Sequence, residues 1–242
     1  MTAVQREYGG WASPSLGRAM EFLIFGHSGA RVLVFPSSNG RFYEWEDFRM
    51  IDALHDHLDR GWVQLFCVDS VDAESWYNDG VPPAVRARRH SQYDQYLINE
   101  FLPFTASRNQ NPMLIATGAS FGAYHALAFG LRHPESVGRI IGMSGLYDVR
   151  RFTDGFSNDD VYFANPFEFI THETDDSRLA AMRRMDIILA TGRDDPSVAN
   201  SVEMSRRLWE KGVGNALRLW DGWAHDWPYW RQMIRAYIGG HD

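Results

Sequence analysis

The chain has 242 residues, 45% hydrophobic and 14% aromatic, enough for one large domain with a substantial core. Its formal charge is −7, and no basic run stands out beyond Arg86-Ala87-Arg88-Arg89, so the electrostatic footprint of a nucleic-acid binder is missing. One cysteine, Cys67, excludes an intrachain disulfide, and no apolar stretch approaches the roughly 20 residues of a membrane helix. The first residues, Met1 to Tyr8, carry no apolar signal region. The expectation is a cytoplasmic protein without a membrane partner.

Taken in chain order, Met20–Phe25 reads as a strand closed by the turn Gly26-His27-Ser28-Gly29. Arg31–Phe35 is a second, buried strand stopped by Pro36. Trp45–Leu58 reads as one helix, with Phe48, Ile51, Leu54 and Leu58 on one face. Val63–Val68 is a strand with Asp69 at its end, and Arg86–Phe104 a long helix ended near Pro103. Pro112–Thr117 and Ala123–Phe129 give a strand and a helix around Gly118–Gly122. Arg139–Met143, Asp186–Ala190 and Ala216–Trp220 complete the strands. Val202–Lys211, ended by Gly212, and Tyr229–Ile238 complete the helices. Alternation of this kind predicts a mostly parallel, twisted sheet of about eight strands with helices on both faces, and one domain over residues 1–242. Ligands of such sheets bind beyond the C-terminal strand ends.

Gly118-Ala119-Ser120-Phe121-Gly122 is a G-x-S-x-G pentapeptide between a strand and a helix. The sharp turn presents the serine at the top of the sheet as a nucleophile. A serine hydroxyl needs a base, itself oriented by an acid. After Ser120, one strand ends in Thr191-Gly192-Arg193-Asp194-Asp195 and the next in Asp221-Gly222-Trp223-Ala224-His225-Asp226. An acid and a histidine therefore follow in the order this fold requires. His225 is the base. Asp195 is favoured as the acid, with Asp194, and more remotely Asp221 or Asp226, as alternatives. Two donors must also face the developing oxyanion. One is the N–H of Phe121. The others are sought in the turn-rich loop Pro36–Tyr43, at Asn39 and Gly40.

The segment 145–185 is expected to form a cap-like insertion between two late strands. Its aromatics, Tyr162 and Phe163 among them, are candidates for the substrate pocket, as is Trp76 beyond an earlier strand. Asp154, Asp159 and Asp160 lack the spacing of a calcium loop, so no metal is expected. Ser144 lacks the pentapeptide pattern and is read as structural.

The chain resembles the α/β-hydrolase esterases grouped with esterase D and the antigen 85 mycolyltransferases. The pieces that carry the likeness are Val34-Phe35-Pro36 with Gly40–Glu44, Val68-Asp69-Ser70 with Glu74–Tyr77, Gly118–Gly122, and His225-Asp226-Trp227-Pro228-Tyr229-Trp230. The resemblance implies an α/β-hydrolase fold and a Ser120, Asp195, His225 triad. It further implies a small-molecule carboxylic ester or thioester as substrate, and no cofactor. Trp223-Ala224 departs from the Gly that relatives often place before the base. Acyl transfer to a hydroxyl or amine by the same triad is the alternative activity, and a non-catalytic binding role a third. Oligomeric state is open, with a homo-oligomer allowed.

Overall fold

A computed structural model describes residues 4–240. One eight-stranded sheet organises it: β1 (Arg6–Ser13), β2 (Arg18–Phe25), β3 (Ala30–Phe35), β4 (Val63–Val68), β5 (Leu114–Ala119), β6 (Arg139–Met143), β7 (Asp186–Gly192) and β8 (Ala216–Trp220). The spatial order is β1-β2-β4-β3-β5-β6-β7-β8. β1 and β2 form an antiparallel pair, and β2 joins β4 antiparallel. From β4 to β8 all neighbours are parallel. This is the α/β-hydrolase fold, with the expected two-faced sheet. Successive side chains point to opposite faces. Leu33 and Phe35 of β3 pack on one side with the helices Pro83–Tyr96 and Phe121–Arg132. Val32 and Val34 pack on the other with Trp45, Leu54 and the helix Trp227–Tyr237. No described helix is long and apolar enough to cross a membrane.

Three local readings of the sequence differ from the structure. β1 was not expected as a strand. It is an edge strand with alternating exposed and half-buried residues, in which Trp11 packs against one face of the core and the exposed Tyr8 meets Phe42 at 5.9 Å on the other. Gly9 fits because the Phe22 ring of β2 lies across it; a Cβ there would stand 2.5 Å from Phe22 Cζ.

The expected helix Trp45–Leu58 is three short pieces, Glu44–Asp47, Met50–Ala53 and His55–Asp59. Arg49 takes a left-handed φ of 62° and breaks the first from the second. Phe48 consequently leaves the core face and is exposed.

The helix expected to stop near Pro103 instead continues to Arg108 through a π turn over Leu97–Phe101. The π turn absorbs one extra residue, so Pro103 falls in the first turn of the next segment. Its missing N–H and fixed φ are tolerated there. Between β6 and β7 lie the helices Asp159–Ala164, Pro166–His172 and Asp176–Met182.

Candidate active site

Ser120 stands between β5 and the helix Phe121–Arg132 with φ 55° and ψ −119°. A non-glycine residue in such a conformation carries strain of about 1–3 kcal/mol. The surroundings impose it: Ser120 N–H donates to Met143 O at 2.8 Å, and Ser120 O accepts from Ala123 N–H at 3.1 Å. Space dictates the flanking glycines. A Cβ on Gly118 would run into the Gly122 backbone, and one on Gly122 would stand 2.5 Å from Phe35 O and 2.6 Å from Pro36 O. The start of the helix is thereby pressed against the end of β3.

His225 comes from the loop after β8. Its Nε2 lies 3.2 Å from Ser120 Oγ, and its Nδ1 lies 2.8 Å from Asp195 Oδ2. The Asp195 side chain is closed off from solvent. Thr191 Oγ donates to the same Oδ2 at 3.0 Å, and Ser197 N–H donates to Oδ1 at 2.7 Å. Burial works to raise the Asp195 pKa. The hydrogen bonds from His225, Ser197 and Thr191, with the charge on His225, outweigh it, and the pKa is held below the ordinary Asp value. An ionised Asp195 accepts only, so the network assigns the proton to Nδ1 and leaves the Nε2 lone pair facing Ser120.

Of the other acids considered, Asp194 is exposed, Asp221 pairs with Arg193 at 3.4 Å, and Asp226 caps the last helix through Trp227 N–H at 2.7 Å. None of these reaches His225.

The loop bearing His225 is braced from below. Ala224, fully buried, has a left-handed φ of 44°, at the position where the resembling family often has Gly. Ser144 Oγ donates to Ala224 O at 3.0 Å and accepts from Trp230 Nε1–H at 3.0 Å. Ser144 thus ties the β6 end, the His225 loop and the last helix together.

The oxyanion loop requires a correction. The Asn39 N–H donates to Asp72 Oδ2 at 3.2 Å and the Gly40 N–H to Ser37 O at 2.8 Å, so both donors are already engaged. Among the described residues, no acceptor is recorded for the N–H of Ser38 or of Phe121. Ser38 escaped the sequence reading because a backbone donor has no residue-type signature. The N-terminus of a 12-residue helix, at Phe121, adds a positive dipole end at the same place.

The expected pocket residues are placed elsewhere. Trp76 is fully buried and donates its indole N–H to Tyr124 Oη at 3.1 Å, so no ligand from solvent touches it. Its neighbour Tyr77 is the residue that reaches the loop, with its hydroxyl 2.8 Å from Ser38 Oγ and its ring edge-on to Phe121. Phe163 lies over the Arg132 guanidinium at 5.9 Å, with Tyr162 against it at 5.0 Å. Arg132 ends the helix that Phe121 starts, about 17 Å away at 1.5 Å per residue. The exposed aromatic beside His225 is Trp223, whose ring stacks on the imidazole at 5.7 Å and 25°. Nearby, Phe48 and Trp227 stack at 4.3 Å.

The family model described as Putative esterase matches residues 13–239. No curated protein matches the chain. Among solved structures, it is similar to a ferulic acid esterase at 16% identity and TM-score 0.75, covering 96% of this chain and 95% of that one. An S-formylglutathione hydrolase from Agrobacterium tumefaciens is similar at 12% identity and TM-score 0.76, covering 99% and 95%. MPT51 of Mycobacterium tuberculosis is similar at 18% identity and TM-score 0.65, covering 98% and 97%. At these identities the likeness is one of fold. The match over residues 13–239 carries the assignment: the chain belongs to the Putative esterase family and is an ester hydrolase.

Proposed function

We propose that Ser120, His225 and Asp195 act as a catalytic triad on a carboxylic ester or thioester, with the N–H groups of Phe121 and Ser38 as the oxyanion donors. The observation that carries this reading is the continuous contact from Asp195 through His225 to Ser120, at 2.8 and 3.2 Å. His225 Nε2 takes the Ser120 proton as Oγ attacks the carbonyl carbon. The carbonyl π pair moves to oxygen, which the two N–H groups receive. Collapse breaks the bond to the leaving alcohol or thiol, and His225 hands it the proton, leaving an acyl-serine. Water attacks that ester with His225 again as base, and the second collapse releases the acid and returns the proton to Ser120. Asp195 stays ionised and holds the imidazole in the tautomer this needs.

Ser120→Ala should abolish hydrolysis of a p-nitrophenyl ester with the melting temperature unchanged. A folded Ser120→Ala protein with wild-type turnover refutes the assignment.

Transfer to an acceptor alcohol uses the same steps with the acceptor in place of water. The half-exposed Trp223 face beside His225 gives such an acceptor a surface to lie on. Acylated acceptor appearing in competition with free acid, in product analysis with added alcohols, is the result this second reading requires.

A further inference from the structure

The loop that carries Ser38 is held at three consecutive residues by three different side chains. Glu44 accepts from Ser37 N–H at 2.7 Å and from Ser37 Oγ at 2.6 Å. Tyr77 reaches Ser38 Oγ at 2.8 Å. Asp72 accepts from Asn39 N–H through Oδ2 at 3.2 Å. Asn39 has a left-handed φ of 57°, a conformation that asparagine adopts more readily than most residues.

The third hold differs in kind from the other two. Asp72 and its partner His125 are buried, with side-chain exposures of 0% and 2%. The other carboxylate oxygen, Oδ1, lies 2.8 Å from His125 Nε2. His125 belongs to the helix Phe121–Arg132, five residues after Ser120. Its ring stacks on Phe35 at 5.8 Å and meets the edge of Phe121 at 4.9 Å. One helix therefore carries the nucleophile, the Phe121 N–H and the histidine that grips Asp72, while Asp72 grips the residue next to Ser38. A buried carboxylate with a single partner would be costly; here both oxygens are engaged, one on each of the two parts that must be aligned.

We propose that the Asp72–His125 pair is a positioning strut that sets the separation and aim of the two oxyanion donors, Ser38 N–H and Phe121 N–H. The proposal rests on the triad reading and adds to it two residues that touch neither substrate nor nucleophile. A sub-ångström error in donor placement matters because oxyanion stabilisation depends on donors fixed before charge develops. The strut acts on the transition state, where the oxygen is negative, and much less on ground-state binding.

A second buried aromatic network lies behind Phe121 and touches the His125 ring through His90 at 5.5 Å and Tyr124 at 5.0 Å. There Tyr124 Oη donates to Ala164 O at 2.9 Å and accepts from Trp76 Nε1–H at 3.1 Å. Its remaining contact, His90 Nε2 at 3.1 Å, must then be a donor to it. That network holds helices to one another. Among the described residues, Asp72 is the one side chain hydrogen-bonded both to the oxyanion loop, at Asn39 N–H, and to the nucleophile helix, at His125.

The test is the double variant Asp72→Leu/His125→Leu, which replaces a buried pair by apolar groups and so preserves folding better than either single change. Steady-state hydrolysis of a p-nitrophenyl ester is measured together with the inhibition constant of an alkyl boronic acid, whose serine adduct places an oxygen in the oxyanion position. The expected result is KM within about twofold of wild type, with kcat and boronate affinity lowered in parallel, on the order of 10–100-fold. Asp72→Asn, which keeps an acceptor for Asn39 N–H, should retain kcat within about threefold. Should the double variant fail to fold, Asp72→Ser, too short to reach Asn39, carries the same expectation.

A folded double or Ser variant with wild-type kcat overturns the strut, and so does a loss confined to KM. Wild-type protein without turnover, or Ser120→Ala with it, overturns the triad reading instead.

Discussion

Asp195→Asn tests the acid in a way the structure makes specific. The carboxylate is isosteric with the amide, so packing is kept and only hydrogen-bond polarity changes. Ser197 N–H donates to Oδ1 at 2.7 Å and needs an acceptor, which fixes the amide oxygen on that side. The amide NH2 is then forced into the Oδ2 position, 2.8 Å from His225 Nδ1 and 3.0 Å from the Thr191 hydroxyl. The hydroxyl can rotate to accept. The imidazole cannot adapt without changing tautomer, because two donors would face one another. Its proton moves to Nε2, which then points a hydrogen at Ser120 and has no lone pair to take one. The enzyme keeps its shape and loses its base. The expected loss in kcat is about 10⁴-fold, equivalent to about 5 kcal/mol of barrier. Hydrolysis of a p-nitrophenyl ester measures it, with Asp194→Asn as the matched control expected within about twofold of wild type. A folded Asp195→Asn protein within tenfold of wild-type kcat refutes the reasoning, as does an equal loss in Asp194→Asn.

Gly122→Ala should lower stability by about 2–3 kcal/mol in denaturant unfolding, because its Cβ meets two backbone carbonyls that cannot move independently of β3. An unchanged midpoint contradicts the close approach. Trp76→Ala should behave as a core truncation costing about 3–5 kcal/mol, while Phe163→Ala should leave kcat/KM unchanged. A large KM change in either without loss of stability would return them to the substrate pocket. Trp223→Ala should leave the melting temperature nearly unchanged and raise KM for esters of bulky aromatic alcohols, with little effect on methyl esters. Equal effects on both series contradict a surface that receives the alcohol.

The sheet was legible because buried strands of a parallel sheet are short apolar runs with turn residues at their ends, as at Arg31–Phe35 and Arg139–Met143. The residues brought together at the site were legible for a related reason. Ser120, Asp195 and His225 each follow the C-terminal end of a strand, and chain order limits the choices. What escaped was written in backbone or burial. β1 is a half-exposed edge strand that needs no apolar alternation. Arg49 adopts a left-handed turn that the sequence would assign to Gly or Asn, so the broken helix had no signal. Asn39 and Gly40 looked like free donors because a turn's N–H acceptors, here Asp72 and Ser37, lie outside the local pattern. Trp76 is aromatic and follows a strand, and neither property distinguishes a pocket wall from a buried brace.

Reaction with a fluorophosphonate probe, with the modified peptide mapped by mass spectrometry, tests the central claim most directly. The account requires the adduct on Ser120, lost in a folded His225→Ala protein. An adduct on another serine, or a well-folded wild-type protein that takes no label, contradicts it.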